Sequence, residues 1–365
     1  MCETTDIFED DITELLPVKT IEHYQVKDGV RLICDEAFSD CSTLKEIELP
    51  HTLNFIGKRA FAGCTELKKI ELPNSLVYIG DGAFDCERLE INIPPSVVFI
   101  KGNPFCFNTT INCNNERFKV IDNSLYSADG RILISCCSPK EVFTVPLGVE
   151  RIGIGAFRNC RIKTVNLPLT LKVIDKYAFY GASCKLESIV FPESLREIHE
   201  QAFGGLLDFT NGFVSLPSNV TLIAEDAFGT DDNIQIIKVP KGRIEHYKSI
   251  FPDWRINSLC DEDIIYLNGL YLNKDKTELI KVNNNNNNLV IPEGITKIRD
   301  HAIEFCFESI TFPASLMDFT SKIFDTEPEF FGKDFLMTKH IYVPSGTKRY
   351  FIERLPKYQN VIEEI

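Results

Sequence analysis

Short runs in which apolar and polar residues alternate, each closed by a proline, recur along most of the chain. Ile47-Glu48-Leu49-Pro50 returns as Ile70-Glu71-Leu72-Pro73. Related runs are Ile91–Pro94, Phe143–Pro146, Val165–Pro168, Ile189–Pro192, Val214–Pro217, Ile237–Pro240, Leu289–Pro292, Ile310–Pro313 and Ile341–Pro344. Most neighbouring prolines are 21 to 25 residues apart. Alternation with a period of two predicts a short strand with one buried face. Proline ends each strand because it has no N–H for a further ladder bond.

A second set of apolar residues keeps the same spacing. After the proline comes a Leu-x-x-Ile element, such as Leu53 to Ile56 and Leu195 to Ile198. About ten residues after most prolines stands Ala-Phe: Ala37-Phe38, Ala60-Phe61, Ala83-Phe84, Ala156-Phe157, Ala178-Phe179, Ala202-Phe203 and Ala227-Phe228. A cysteine often follows, as at Cys41, Cys64, Cys86, Cys160 and Cys184, and Ala302-Ile303 with Cys306 is a degenerate copy. One unit of this size cannot bury its own apolar residues. Stacked units can, each covering the next, which predicts a solenoid with the phenylalanines in one internal column.

Two stretches break the period. Ile121 to Ile134 reads as a hairpin turning at Asp129-Gly130, and Ile265 to Ile280 reads as a second with Lys274-Asp275-Lys276 at its turn. Val239-Pro240-Lys241-Gly242 leads to Tyr247 and Trp254, and Val343-Pro344-Ser345-Gly346 leads to Tyr350. The expected blocks are an N-terminal lead or cap at 1–19 and repeats at 20–112. A hairpin and more repeats follow at 113–258, then a second hairpin, degenerate repeats and a C-terminal cap at 259–365. The asparagine run Asn283 to Asn288 reads as a solvated loop.

The unit resembles the BspA-like leucine-rich repeat over nearly the whole chain, and hairpins and closing segments of these forms also occur in that family. The resemblance implies a β-rich solenoid (an α/β repeat), a right-handed, curved leucine-rich-repeat array with hairpin insertions. It implies a non-catalytic recognition or adhesion scaffold at the cell surface or secreted, binding a protein or glycan. Met1 to Leu16 is acidic and lacks the basic and apolar segments of a secretory signal. A cytoplasmic interaction scaffold is therefore the alternative, and the many unpaired cysteines favour it.

Charge and chemistry narrow the reading further. The formal net charge of −14 argues against nucleic acid as a partner, and no run of about 18 apolar residues predicts membrane insertion. A monomer is expected. The 13 cysteines contain no Cys-x-x-Cys, and the six histidines form no metal-binding pair, so neither metal nor cofactor is expected. The cysteines after Ala-Phe read as a column of buried thiols. Cys106 and Cys113 could form a loop staple in an oxidising compartment. No catalytic residue is proposed, because no acid pair, nucleophile elbow or phosphate loop stands out.

What remains is the strand face turned outward. The early units place Glu46, Glu48, Lys69, Glu71, Glu90 and Asn92 there, whereas later units place Thr164, Asn166, Ser188, Val190, Phe213, Ser215, Ile236 and Lys238. Exposed apolar residues on such a face suggest a partner. The candidate ligand patch is therefore Ser188, Val190, Phe213, Ser215, Ile236 and Lys238. Two other readings stay open: a hairpin covers these residues, or the register slips by one and exchanges inside for outside.

Overall fold

The proline-closed runs pair in parallel in a series of short sheets, and the Leu-x-x-Ile elements pair in parallel in sheets of their own. The computed structural model describes residues 20–181, 188–204, 213–229, 236–251, 259–283, 286–303, 307–324 and 338–365. In the proline-closed ladder, His23–Gln25 pairs with Glu46–Glu48, Lys69–Ile70 with Glu90–Ile93, and that strand with Thr110–Cys113. The ladder resumes as Val142–Thr144, Thr164–Asn166 and Ser188–Ile189. The second ladder is built of two-residue strands: Leu32–Ile33, Phe55–Ile56, Tyr78–Ile79 and Phe99–Ile100. It resumes as Arg151–Ile152, Val173–Ile174, Glu197–Ile198 and Leu222–Ile223.

The Ala-Phe turns make a third set of bonds from coil to coil. The Phe61 N–H donates to the Ala83 carbonyl at 2.8 Å, and Phe157, Phe179 and Phe203 repeat the contact with Ala178, Ala202 and Ala227. Their rings stack as the sequence predicts. Phe38, Phe61, Phe84 and Phe105 lie 5.2, 5.6 and 6.1 Å apart between centroids. Phe157, Phe179, Phe203, Phe228 and Phe251 follow at 4.7, 5.0, 5.5 and 6.5 Å. The alanines before six of these rings, Ala60, Ala83, Ala156, Ala178, Ala202 and Ala227, are buried. Gly57 and Gly80 close the approach on the other side: a Cβ would lie 2.5 Å from the Asp35 amide nitrogen at the first and 2.6 Å from the Gly57 carbonyl carbon at the second.

Both hairpins are present, each as a three-stranded antiparallel meander. The first is Phe118–Ile121, Ser124–Ser127 and Ile132–Cys136, whose last strand pairs in parallel with Arg151–Ile152. Its turns fall at Asp122-Asn123, both with positive φ, and at Asp129-Gly130. The second is Ile264–Leu267, Leu270–Asn273 and Glu278–Val282, and it joins Lys297–Ile298. The closing segments become short helices, Ile244–Lys248 around buried Tyr247 and Lys348–Arg354 around buried Phe351. Trp254, Cys184, Cys306 and the lead at 1–19 lie outside the described residues.

The chain divides into two units. The first is Met1–Thr210 with Ser215–Ile234 and Ser249–Pro252; the second is Asn211–Val214 with Gln235–Lys248 and Asp253–Ile365. Within the first, the coils before and after the meander are tied by a half-buried ion pair. Arg158 donates to both carboxylate oxygens of Asp81 at 3.0 Å and to the Asn103 carbonyl at 3.1 Å. Buried Asn103 donates onward to the Gly155 carbonyl at 2.8 Å. The core of the second unit gathers Leu272, Leu279, Ile310, Phe312, Ile341 and Phe351.

Candidate functional site

Strand pleating sets which side chains meet solvent. In Glu46–Glu48 the central Ile47 is buried and both glutamates are exposed, and the same alternation runs through Lys69–Ile70 and Glu90–Ile93. This stretch is a charged surface, with Lys69 and Glu71 paired at 2.7 Å. The outward residues after the meander differ. Val142 and Val190 are exposed, Val190 to 80%, and Leu147 and Leu169 protrude from successive turns at 78% each. Between them lies a polar strip in which the Asn166 amide donates to the Thr144 hydroxyl at 3.0 Å. A shallow depression of about 200 Å³ is lined by Thr164, Asn166, Leu167, Leu169, Val190 and Pro192. The depression is uncharged and has an aliphatic rim.

The six candidate residues divide between the two units. Ser188, Val190 and Ser215 belong to the first unit, and Phe213, Ile236 and Lys238 to the second. Val190 and Ser215 face outward as expected. Ser188 and Phe213 sit in their strands, with side chains outside the described part of the structure. Ile236 is a correction, because it is 1% exposed and packs with Cys260, Tyr271 and Ile280. Tyr271 and Ile280 come from the second meander, so the insertion covers the slot that the repeat pattern turns outward. Lys238 is half-buried and pairs with Asp263 at 3.1 Å, and the hydrogen bond and charge of Lys238 hold that carboxyl below its usual range. Asn283 donates to the Tyr271 hydroxyl at 3.4 Å, and burial pushes the Tyr271 phenol up to about 12.

A second exposed surface went unread in the sequence. On the Leu-x-x-Ile ladder before the first meander, the residue before the isoleucine is exposed or half-buried, and in three successive coils it is aromatic: Phe55, Tyr78 and Phe99. Their rings lie 6.2 and 5.8 Å apart. Phe99 is 56% exposed and its neighbour Val98 is 49% exposed. Burial first, then the carboxylates of Asp35 and Asp81, pushes the Tyr78 phenol up. Lining up the residue that precedes the repeat isoleucine would have revealed this column.

The thiols have a structural role. The Cys64 thiol donates to the Phe38 carbonyl at 3.1 Å, Cys86 to Phe61 at 2.8 Å and Cys160 to Cys136 at 3.2 Å. Each therefore satisfies a carbonyl of the preceding coil. Burial raises the Cys106 and Cys137 thiols well above the free value, which disfavours the nucleophilic thiolate. Cys106 and Cys113 are both free thiols. Among the described residues no three His, Cys, Asp or Glu side chains gather as a metal site, and no described helix is long and apolar enough to cross a membrane.

Parallel ladders, an internal phenylalanine column and a coil of some 23 residues define a leucine-rich-repeat solenoid. Residues 18–132, 133–259 and 281–330 match the BspA type leucine-rich-repeat region in six copies, and the chain belongs to that family. No curated protein matches it in sequence. Among solved structures, it resembles the pneumococcal vaccine antigen PcpA with a TM-score of 0.50 and 22% identity, over 95% of this chain and 76% of that one. A leucine-rich cell surface protein from Faecalibacterium prausnitzii gives a TM-score of 0.48 and 23% identity, over 67% and 77%. A leucine-rich-repeat protein from Bacteroides ovatus gives 0.35 and 20%, over 94% and 84%. PcpA carries the comparison of fold.

Proposed function

We propose that this repeat scaffold is a recognition or adhesion protein. It holds a protein or glycan ligand against the outward face of strands Val142–Thr144, Thr164–Asn166 and Ser188–Ile189. The observation that carries the reading is the group of four exposed aliphatic residues, Val142, Leu147, Leu169 and Val190, of which Leu169 and Val190 line an uncharged depression. Isolated exposed aliphatics are ordinary, whereas several on adjoining coils favour a covering partner. An intracellular protein-protein scaffold is the second reading, favoured by the free thiols of Cys64 and Cys86.

A protein and glycan array probed with the full chain identifies the ligand. Val190→Asp should then weaken the strongest hit about thirtyfold, equivalent to about 2 kcal/mol, with an unchanged melting temperature because Val190 is exposed. Unchanged affinity would remove the proposed face from the account. Thiol counting on protein purified without reductant separates the two locations: bridged cysteines favour secretion, and a full set of free thiols favours the cell interior.

A further inference from the structure

We infer that the strand Phe99–Ile100 is an open docking edge for an extended peptide carrying an aromatic residue two positions before an acidic one. The inference concerns a different ladder from the face proposed above and does not depend on it. Each two-residue strand of this ladder hands its outward-facing backbone groups to the next. The Val77 carbonyl accepts from the Val98 and Phe99 N–H groups at 2.9 and 3.2 Å, and the Ile79 carbonyl accepts from Lys101 at 2.9 Å. At Phe99–Ile100 the hand-over stops. After Thr110–Cys113 the chain folds back into the meander, and its strands pair with one another and with Arg151–Ile152. Among the described residues no donor reaches the carbonyls of Val98 or Ile100, the groups that correspond to Val77 and Ile79. An exposed strand edge with unpaired backbone groups is a template for an added strand.

The register specifies the occupant. Tyr78 aligns with Phe99 and Ile79 with Ile100, so an added parallel strand would place one residue beside Phe99, the next beside Ile100 and the next beside Lys101. The position beside Phe99 extends the Phe55, Tyr78, Phe99 column and favours an aromatic ring. The position beside Ile100 favours an aliphatic side chain, and the position beside Lys101 favours a carboxylate. Lys101 is exposed and has no ion-pair partner among the described residues, and the same holds for Lys58 two coils earlier.

The test is fluorescence anisotropy with the full chain and a labelled peptide containing valine–phenylalanine–isoleucine–glutamate. Saturable binding is expected. N-methylation of the phenylalanine and glutamate amides, which removes the donors to the two carbonyls, should weaken it about tenfold or more. Phe99→Ala should weaken it about tenfold without lowering the melting temperature. Lys101→Glu should weaken it about threefold and reverse the preference towards a peptide with lysine in place of glutamate. Absence of binding up to about 1 mM, or equal binding of the N-methylated peptide, would overturn the inference. A concentration-dependent dimer abolished by Phe99→Ala would also overturn it, by assigning the edge to a second copy of this chain.

Discussion

The proline-closed ladder before the first meander and its continuation after it share one interior and differ on the outside. Ile47, Ile70 and Ile91 in the first stretch and Phe143, Val165 and Ile189 in the second are all buried. Their outward neighbours are glutamate and lysine in one case and threonine, asparagine and valine in the other. The fold therefore constrains every second residue and leaves the others free to vary. Burial of the inward set and stacking of the phenylalanines supply the coil-to-coil cohesion, so the outward set can carry specificity at little cost to stability. The two stretches are one scaffold presenting two chemistries.

The largest effect should be common to both stretches. Phe61→Ala and Phe179→Ala each remove a fully buried ring from the column and should each cost about 3–5 kcal/mol, measured by chemical denaturation. Coils touch their neighbours, so the loss can show as a separate early transition. An unchanged melt for either variant would break the equivalence of the two interiors. A smaller effect is expected at the junction between the stretches. Arg158→Ala leaves the Asp81 carboxylate half-buried without its partner and should cost about 1–3 kcal/mol, with increased hydrogen exchange at Asn103 and Gly155. No change there would mean that the stretches are held together without help from the Arg158–Asp81 ion pair. The smallest effect is expected on the charged outside, where Glu48→Ala should change stability by less than about 0.5 kcal/mol and leave ligand affinity unchanged, in contrast to Val190→Asp.

The interior was legible because its signal repeats. Each phenylalanine of the column is one instance of a pattern seen many times, and Phe61 or Phe179 could be assigned from its neighbours in the alignment. What failed was unique rather than periodic. Ile236 occupies an outward slot by spacing, yet the second meander lays Tyr271 and Ile280 over it, and no periodicity encodes what an insertion covers. Arg158 and Asp81 are 77 residues apart, and neither belongs to the repeat signature, so their pairing had no trace in the sequence. The column of Phe55, Tyr78 and Phe99 was periodic and available, but it stands beside the buried isoleucine that defines the element and was not aligned in its own right.

The ladder of separate coils also has a mechanical meaning. Within the first unit, successive prolines Pro50 and Pro73 are 23 residues apart, and the coil between them grips its neighbours through three strand pairs and the hydrogen bonds of its Ala-Phe turn. Peeled away under tension, it would release at most about 80 Å of extended chain while the coils behind it stay folded. Length would be yielded in instalments, each dissipating work, and the Arg158–Asp81 clasp would interrupt the sequence by binding coils on both sides of the meander into one larger step. A solenoid built this way would lengthen under load before it lets go.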